Sequence, residues 1–315
     1  MVALSLSAEL LIMIASGIAL RKLNLVKDEF SGQLSAFLMN IALPCLVFRS
    51  MTSLEFTIDM LKNCGIALIL SIAVLVIQFC IGQGYFLLLK KSGSGRIARY
   101  GMTITHFSFM GIPVMNNMFG DVGNLYYAVF ITPVRIAFYA LSKRLLISPE
   151  LLKESDKKTS YWKTFISPGI VVIPVAFLFW VMNWSLPLPL ANCVKSLSAT
   201  CSPMGLVLCG VVLGKYDFKR LMQLKYFKLP LVRTLIMPAI FIILTRPLAW
   251  FGIDRMITDM VVIYTALPIA SLTASFIVQY DPDPEIQFEA ASCVLIATLI
   301  STITIPAWYF VLQLI

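Results

Sequence analysis

A single histidine, His106, stands in the 315 residues, and only 13% of the chain is charged. The first scarcity leaves few acid–base partners for catalysis. It accompanies the absence of any Gly-rich phosphate loop, HExxH helix or nucleophile elbow, so enzymatic function is disfavoured. The second scarcity is about half the charge of an ordinary soluble domain, so most of the surface faces something other than water. The seven cysteines are odd in number, lack CxxC spacing and lie mostly inside apolar runs. No metal cluster, disulfide framework or cofactor is expected from them. The sixteen carboxylates sit almost wholly outside the apolar runs, Glu9 being the one well inside. A carrier of cations needs acids at mid-membrane to hold its cargo, and that reading is disfavoured.

What remains is apolar: 59% hydrophobic residues and a mean hydropathy of +0.88. A bilayer core takes about 20 apolar residues as helix, because lipid offers unsatisfied backbone groups no partner. That window gives ten spans: 2–20, 33–53, 61–89, 98–119, 122–142, 165–184, 190–213, 229–250, 256–279 and 289–313. The first run lacks a basic start and is followed by Arg21 and Lys22, the reverse of a signal peptide. With both termini outside, eighteen of the 25 basic residues fall in loops on the cytoplasmic side of a cell membrane. That asymmetry is the positive-inside pattern. It accounts for the net charge of +9 without nucleic acid as a partner.

The polar stretch 143–164 reads as a cytoplasmic linker between two five-helix halves, 1–142 and 165–315. The fourth helix of each half carries a small–apolar–Pro step, Gly111-Ile112-Pro113 and Ala266-Leu267-Pro268, half a chain apart. A repeat of five spans must sit inverted relative to its copy. Paired interrupted helices in inverted repeats point to a carrier site at mid-membrane. Proline in a helix removes an N–H and clashes with the carbonyl four residues back. Two helices broken at one depth would turn N-terminal N–H groups, with their partial positive charge, toward one spot suited to an anion. The expected fold is thus an all-α integral membrane protein, ten transmembrane helices in a 5+5 inverted repeat.

Leu43-Pro44-Cys45-Leu46-Val47-Phe48, Met110-Gly111-Ile112-Pro113 with Phe119-Gly120, Arg233 ahead of Pro238, and the stretch ALPIASLTASFIVQYDPDPEIQFEAASCVL carry a further signal. On these residues, and almost end to end, the chain resembles the auxin efflux carrier family, which includes plant auxin exporters and bacterial malate and malonate permeases. The resemblance implies a scaffold of helices 1, 2, 6 and 7. It implies a transport domain of helices 3–5 and 8–10 whose helices 4 and 9 cross at prolines. Elevator-type alternating access of a small carboxylate, and a homodimer through the scaffold, are implied as well. Two positions depart from the family pattern: His106 and Arg135 stand where asparagine, or asparagine or glutamine, is usual. Both add actual or potential positive charge.

Arg135, mid-way along helix 5, is costly in lipid and should face a cavity or a partner. Its planar fork suits a carboxylate, and capping of broken-helix carbonyls is equally open. Arg233, nearer the cytoplasmic end of helix 8, is within reach of the interface by snorkelling and is assigned a structural role. His106 is placed at the site, either as a cation or proton relay or as a neutral ring bonded to exposed backbone. Asn116 and Asn117 after Pro113, and Ser271, Thr273 and Ser275 after Pro268, are candidates to line the crossing, although such side chains also join membrane helices without a ligand. Asn40 and Pro44 resemble the scaffold's contribution to the site. The expected function is transport of a small organic anion. The alternatives are a sodium- or proton-coupled symporter of bile-acid or sodium type and a membrane receptor or sensor built on a carrier fold.

Overall fold

The computed structural model describes the chain apart from residues 1, 55, 90–91, 109, 148–167, 215–222 and 282. Those residues are helical nearly throughout, with one isolated antiparallel bridge, Thr105 to Ile269. In order come α1 (Val2–Lys22), α2 (Asp28–Phe37), a π turn (Leu38–Ala42), α3 (Leu43–Thr52), α4 (Ile58–Leu88), α5 (Gly93–Thr103) and α6 (Gly111–Leu146). Then follow α7 (Pro168–Val181), α8 (Leu188–Leu213), a 3₁₀ turn (Leu224–Tyr226), α9 (Lys228–Leu231), a second π turn (Val232–Ile236) and α10 (Met237–Thr245). A second 3₁₀ turn (Arg246–Phe251) leads to α11 (Arg255–Ala266), α12 (Leu272–Tyr280) and α13 (Pro284–Leu314).

Among the described residues, six helical spans are long and apolar enough to cross a membrane: 29–52, 58–88, 111–142, 188–212, 224–251 and 284–314. The outward faces agree with that solvent. Ile69, Ile72 and Val76 of α4 and Val171, Val175 and Leu178 of α7 are all exposed, an apolar girdle that water would penalise.

Local chemistry sets the ends and bends. Thr57, Ser92, Asp254 and Asp283 accept backbone N–H bonds at the starts of α4, α5, α11 and α13, satisfying donors that a first turn leaves without partners. Each π turn runs into a proline at the second position of the next helix, Pro44 in α3 and Pro238 in α10. Widening the turn accommodates a residue that has no N–H and whose ring crowds the carbonyl behind it. Within α6, Gly120 takes φ 63°, ψ −155° and kinks the helix into two arms. The left-handed φ favours glycine there. The Tyr127 hydroxyl of the second arm donates to the Phe107 carbonyl just before the first (2.8 Å).

α1 packs on α8, α3 on α7, α4 on α5 and α6, and α11 on α10 and α13. The α1–α8 pair meets backbone to backbone: a Cβ on Gly17 would stand 2.1 Å from the Val207 oxygen, and one on Gly210 2.0 Å from the Ile14 oxygen. The linker expected from residue 143 begins later, since α6 continues to Leu146. Residues 148–164 of that linker lie outside the described residues.

Candidate functional site

Two of the expected spans are interrupted, the fourth at residues 104–110 and the ninth at 267–271. Their extended stretches run antiparallel against one another. The His106 N–H donates to the Pro268 carbonyl (2.8 Å), beside the Thr105–Ile269 bridge. Pro268 explains its own break. A residue before proline is driven from the helical region, and Leu267 is extended at φ −60°, ψ 144°.

Pro113 works differently from the expectation. It is the third residue of α6 and lies inside regular helix, in the first turn where a missing N–H costs nothing. The rupture comes before it, where α5 ends at Thr103 and Ile104 turns extended at φ −112°, ψ 118°. The two prolines are therefore not equivalent: one lies in the crossing, the other opens the half-helix beyond it. Gly111 permits the close approach, since a Cβ there would sit 2.1 Å from the Tyr127 hydroxyl and 3.0 Å from Leu267. Several of the N–H groups expected to point at a ligand are engaged within the breaks. Those of Gly111, Ile112 and Val114 bond to the carbonyls of His106, Ser108 and Met110, and that of Thr273 to Ala270. Recognition thus shifts toward side chains.

Arg233 resolves the other side of the crossing. It is fully buried and its guanidinium donates to the carbonyls of Met102 (2.9 Å) and Leu267 (3.2 Å). With its amide oriented to satisfy both neighbours, Gln78 accepts from the same guanidinium (3.0 and 3.2 Å) and donates to the Thr103 carbonyl (3.3 Å). Two helix C-termini carry partial negative charge, and a planar cation between them answers both. The structural role read for Arg233 is this one.

Against the crossing lies a cavity of about 210 Å³. Thr105, His106 and Ser108 enter from the first break, Ser271 from the second, and Ser35 and Met39 from α2 and the π turn after it. Phe107, Phe138 and Phe276 form an aromatic wall, with Phe138 centred 5.8 Å from each of the other two. No carboxylate lines the cavity among the described residues. The buried Ser108 hydroxyl has no hydrogen-bonding partner among them, a condition that asks for an explanation. The His106 ring lies with Nε2 3.4 Å from Cys209 Sγ of α8.

Of the residues singled out in the sequence, His106 and Ser271 line this cavity. Thr273 is buried beside it and bonded to the Ala270 carbonyl. Asn116 accepts from Asn124 (2.5 Å) and Asn117 is exposed, both beyond the first turn of α6 and apart from the cavity wall. Asn40 is exposed and donates to Ala36, while its neighbours Ser35 and Met39 reach the cavity instead. Arg135 is 1% exposed, close enough for its charge to act on Tyr127 and Cys201, and is not part of the wall. The Ser275 side chain lies outside the described residues.

The membrane transport protein family matches residues 3–157. An uncharacterized transporter of Methanothermobacter thermautotrophicus is 23% identical over 310 residues, covering 96% of each chain. Both agree with the resemblance carried by the Leu43–Phe48 and Met110–Pro113 motifs.

Proposed function

We propose that this chain, a member of the membrane transport protein family, carries a small organic anion through an elevator of two five-helix inverted repeats. The observation that carries the proposal is the meeting of two broken segments at His106 N–H and the Pro268 carbonyl, beside a cavity whose other wall comes from α2. Backbone leaves helical form inside a membrane only where protein or a cavity receives it, and such places hold carrier sites. The pairing α1 with α8 and α3 with α7 supports the repeat, because it joins the first helix of one half to the second of the other, both ways. The α1, α2–α3, α7 and α8 group would be the scaffold; the crossing and its neighbours would move.

The cargo reading rests on the wall. Hydroxyls of Ser35, Thr105, Ser108 and Ser271 and the His106 ring offer donors, and no acid faces them among the described residues. Three phenylalanines ask for an apolar body. A carboxylate joined to a compact apolar or aromatic frame fits both sides, with Arg135 supplying positive potential from behind the wall. Cation coupling finds no carboxylate here to hold the ion. By the basic loops, both termini face outward.

Thermal shift of purified protein against a panel of small carboxylates tests the proposal, since a ligand bound to the folded form alone raises apparent stability. An apolar carboxylate should stabilise the protein, its amide should not, and proteoliposomes should accumulate the acid that binds. A panel in which amines bind and carboxylates do not overturns the reading.

A further inference from the structure

A second cavity, about 420 Å³, opens at the C-terminal end of α3, between the last turns of α3 and α7 and the first turn of α8. It shares no lining residue with the first. Arg49 and Lys195 both line it, Asn183 and Asn192 add amides, and no acidic residue is present in its wall among the described residues. Arg49 is half-buried and its guanidinium lies 3.5 Å from the Ser198 hydroxyl. Trp184 and Phe179 pack edge to face at the rim, 5.5 Å between centroids. Three features coincide: two cations without a counter-acid, polar amides, and aromatic rings at the ends of three apolar helices. Aromatic side chains of this kind mark the headgroup level of a bilayer, and the α8 N-terminus adds partial positive charge.

We propose that this cavity binds an anionic phosphate group, supplied by the headgroup of a membrane phospholipid whose acyl chains lie along the exposed apolar face of α7. A cavity at headgroup depth takes the phosphate while Val171, Val175 and Leu178 meet the chains. The site sits on helices assigned above to the scaffold, so an occupied site would brace the part of the protein that stays still.

The test is thermal unfolding and native mass spectrometry of the full chain, without substrate, in nanodiscs of zwitterionic lipid doped with phosphatidylglycerol. The wild type should retain the anionic lipid and melt higher as its fraction rises. Arg49→Gln with Lys195→Gln should weaken that dependence about thirtyfold, roughly the effect of removing two cations near a charged headgroup. Arg49→Lys with Lys195→Arg should keep it. Lys195→Glu alone, at an exposed position, serves if the double variant does not fold, and should abolish retention. Equal stabilisation of wild type and charge-removed variants by the lipid overturns the proposal. So does variant-sensitive stabilisation by glycerol phosphate or inorganic phosphate at millimolar concentration in purely zwitterionic discs, which would make the ligand a soluble anion. These readouts involve no carboxylate, so their failure leaves the carrier reading where it stands.

Discussion

Arg233 and Arg135 are both arginines closed inside an apolar body, and their surroundings give them different work. Arg233 answers carbonyls at two helix ends and the Gln78 amide. Removing a buried partner leaves each of those groups to bear its own desolvation, about 1–3 kcal/mol apiece. Arg233→Met should therefore lower the apparent melting temperature sharply, and Arg233→Lys should recover little, because one ammonium cannot span the fork. Arg135→Gln should instead weaken carboxylate binding more than it lowers stability. The comparison of melting temperature with ligand affinity in the two variants separates the roles. An Arg135→Gln protein that binds as tightly as wild type would remove Arg135 from the site. A second residue-scale test concerns Gly111. Alanine there drives Cβ into the Tyr127 hydroxyl and should be severely destabilising, whereas in a Tyr127→Phe background the same change should cost less. Tyr127→Phe alone loses only its bond to Phe107, so the pair should be clearly non-additive in thermal unfolding.

Between elements, the two ends of the crossing are tied differently. At the end where α5 begins, Arg96 pairs with Asp281 in the turn after α12, and Ser94 donates to Glu289 of α13 (2.6 Å). The Arg96 and Asp281 side chains are nearly buried. Breaking such a pair from one side costs about 3–5 kcal/mol, while replacing both partners with apolar groups is often neutral. Arg96→Met and Asp281→Leu should each destabilise more than the two together, measured by thermal unfolding in one detergent. Additive losses would show that the ion pair contributes little beyond the separate packing of its members. This scale is also where the sequence was most and least legible. Long apolar runs located the helices, because length and composition decide membrane insertion. The break in the fourth span was misplaced by several residues, because the proline stood out and nothing local marks Thr103–Thr105: the same triad, Thr302-Ile303-Thr304, lies inside α13. The aromatic wall was invisible: nothing in the spacing of Phe107, Phe138 and Phe276 says that three separated elements bring them together.

At the scale of the whole molecule, the decisive question is whether the crossing moves against α1 and α8. Gly17 and Gly210 lock those two helices at backbone contact, so α8 is a fixed reference if α1 belongs to the same body. The crossing meets that reference at His106 Nε2, which lies against Cys209 Sγ. Cys209 is 2% accessible through that packing and does not line the cavity, so a bound ligand would not shield it directly. Sliding of the crossing past α8 must separate the pair and open the thiol. In a protein whose other six cysteines are replaced, a small membrane-permeant maleimide should label Cys209 slowly at rest and faster with a transported carboxylate. A carboxylate that binds without being transported should leave the slow rate unchanged. Replacing Gly17 with leucine should pry α1 from α8 and raise labelling in all conditions, because the reference itself is then lost. If labelling is indifferent to substrate while proteoliposomes accumulate it, the crossing does not travel, and transport proceeds by a smaller gate within a fixed frame.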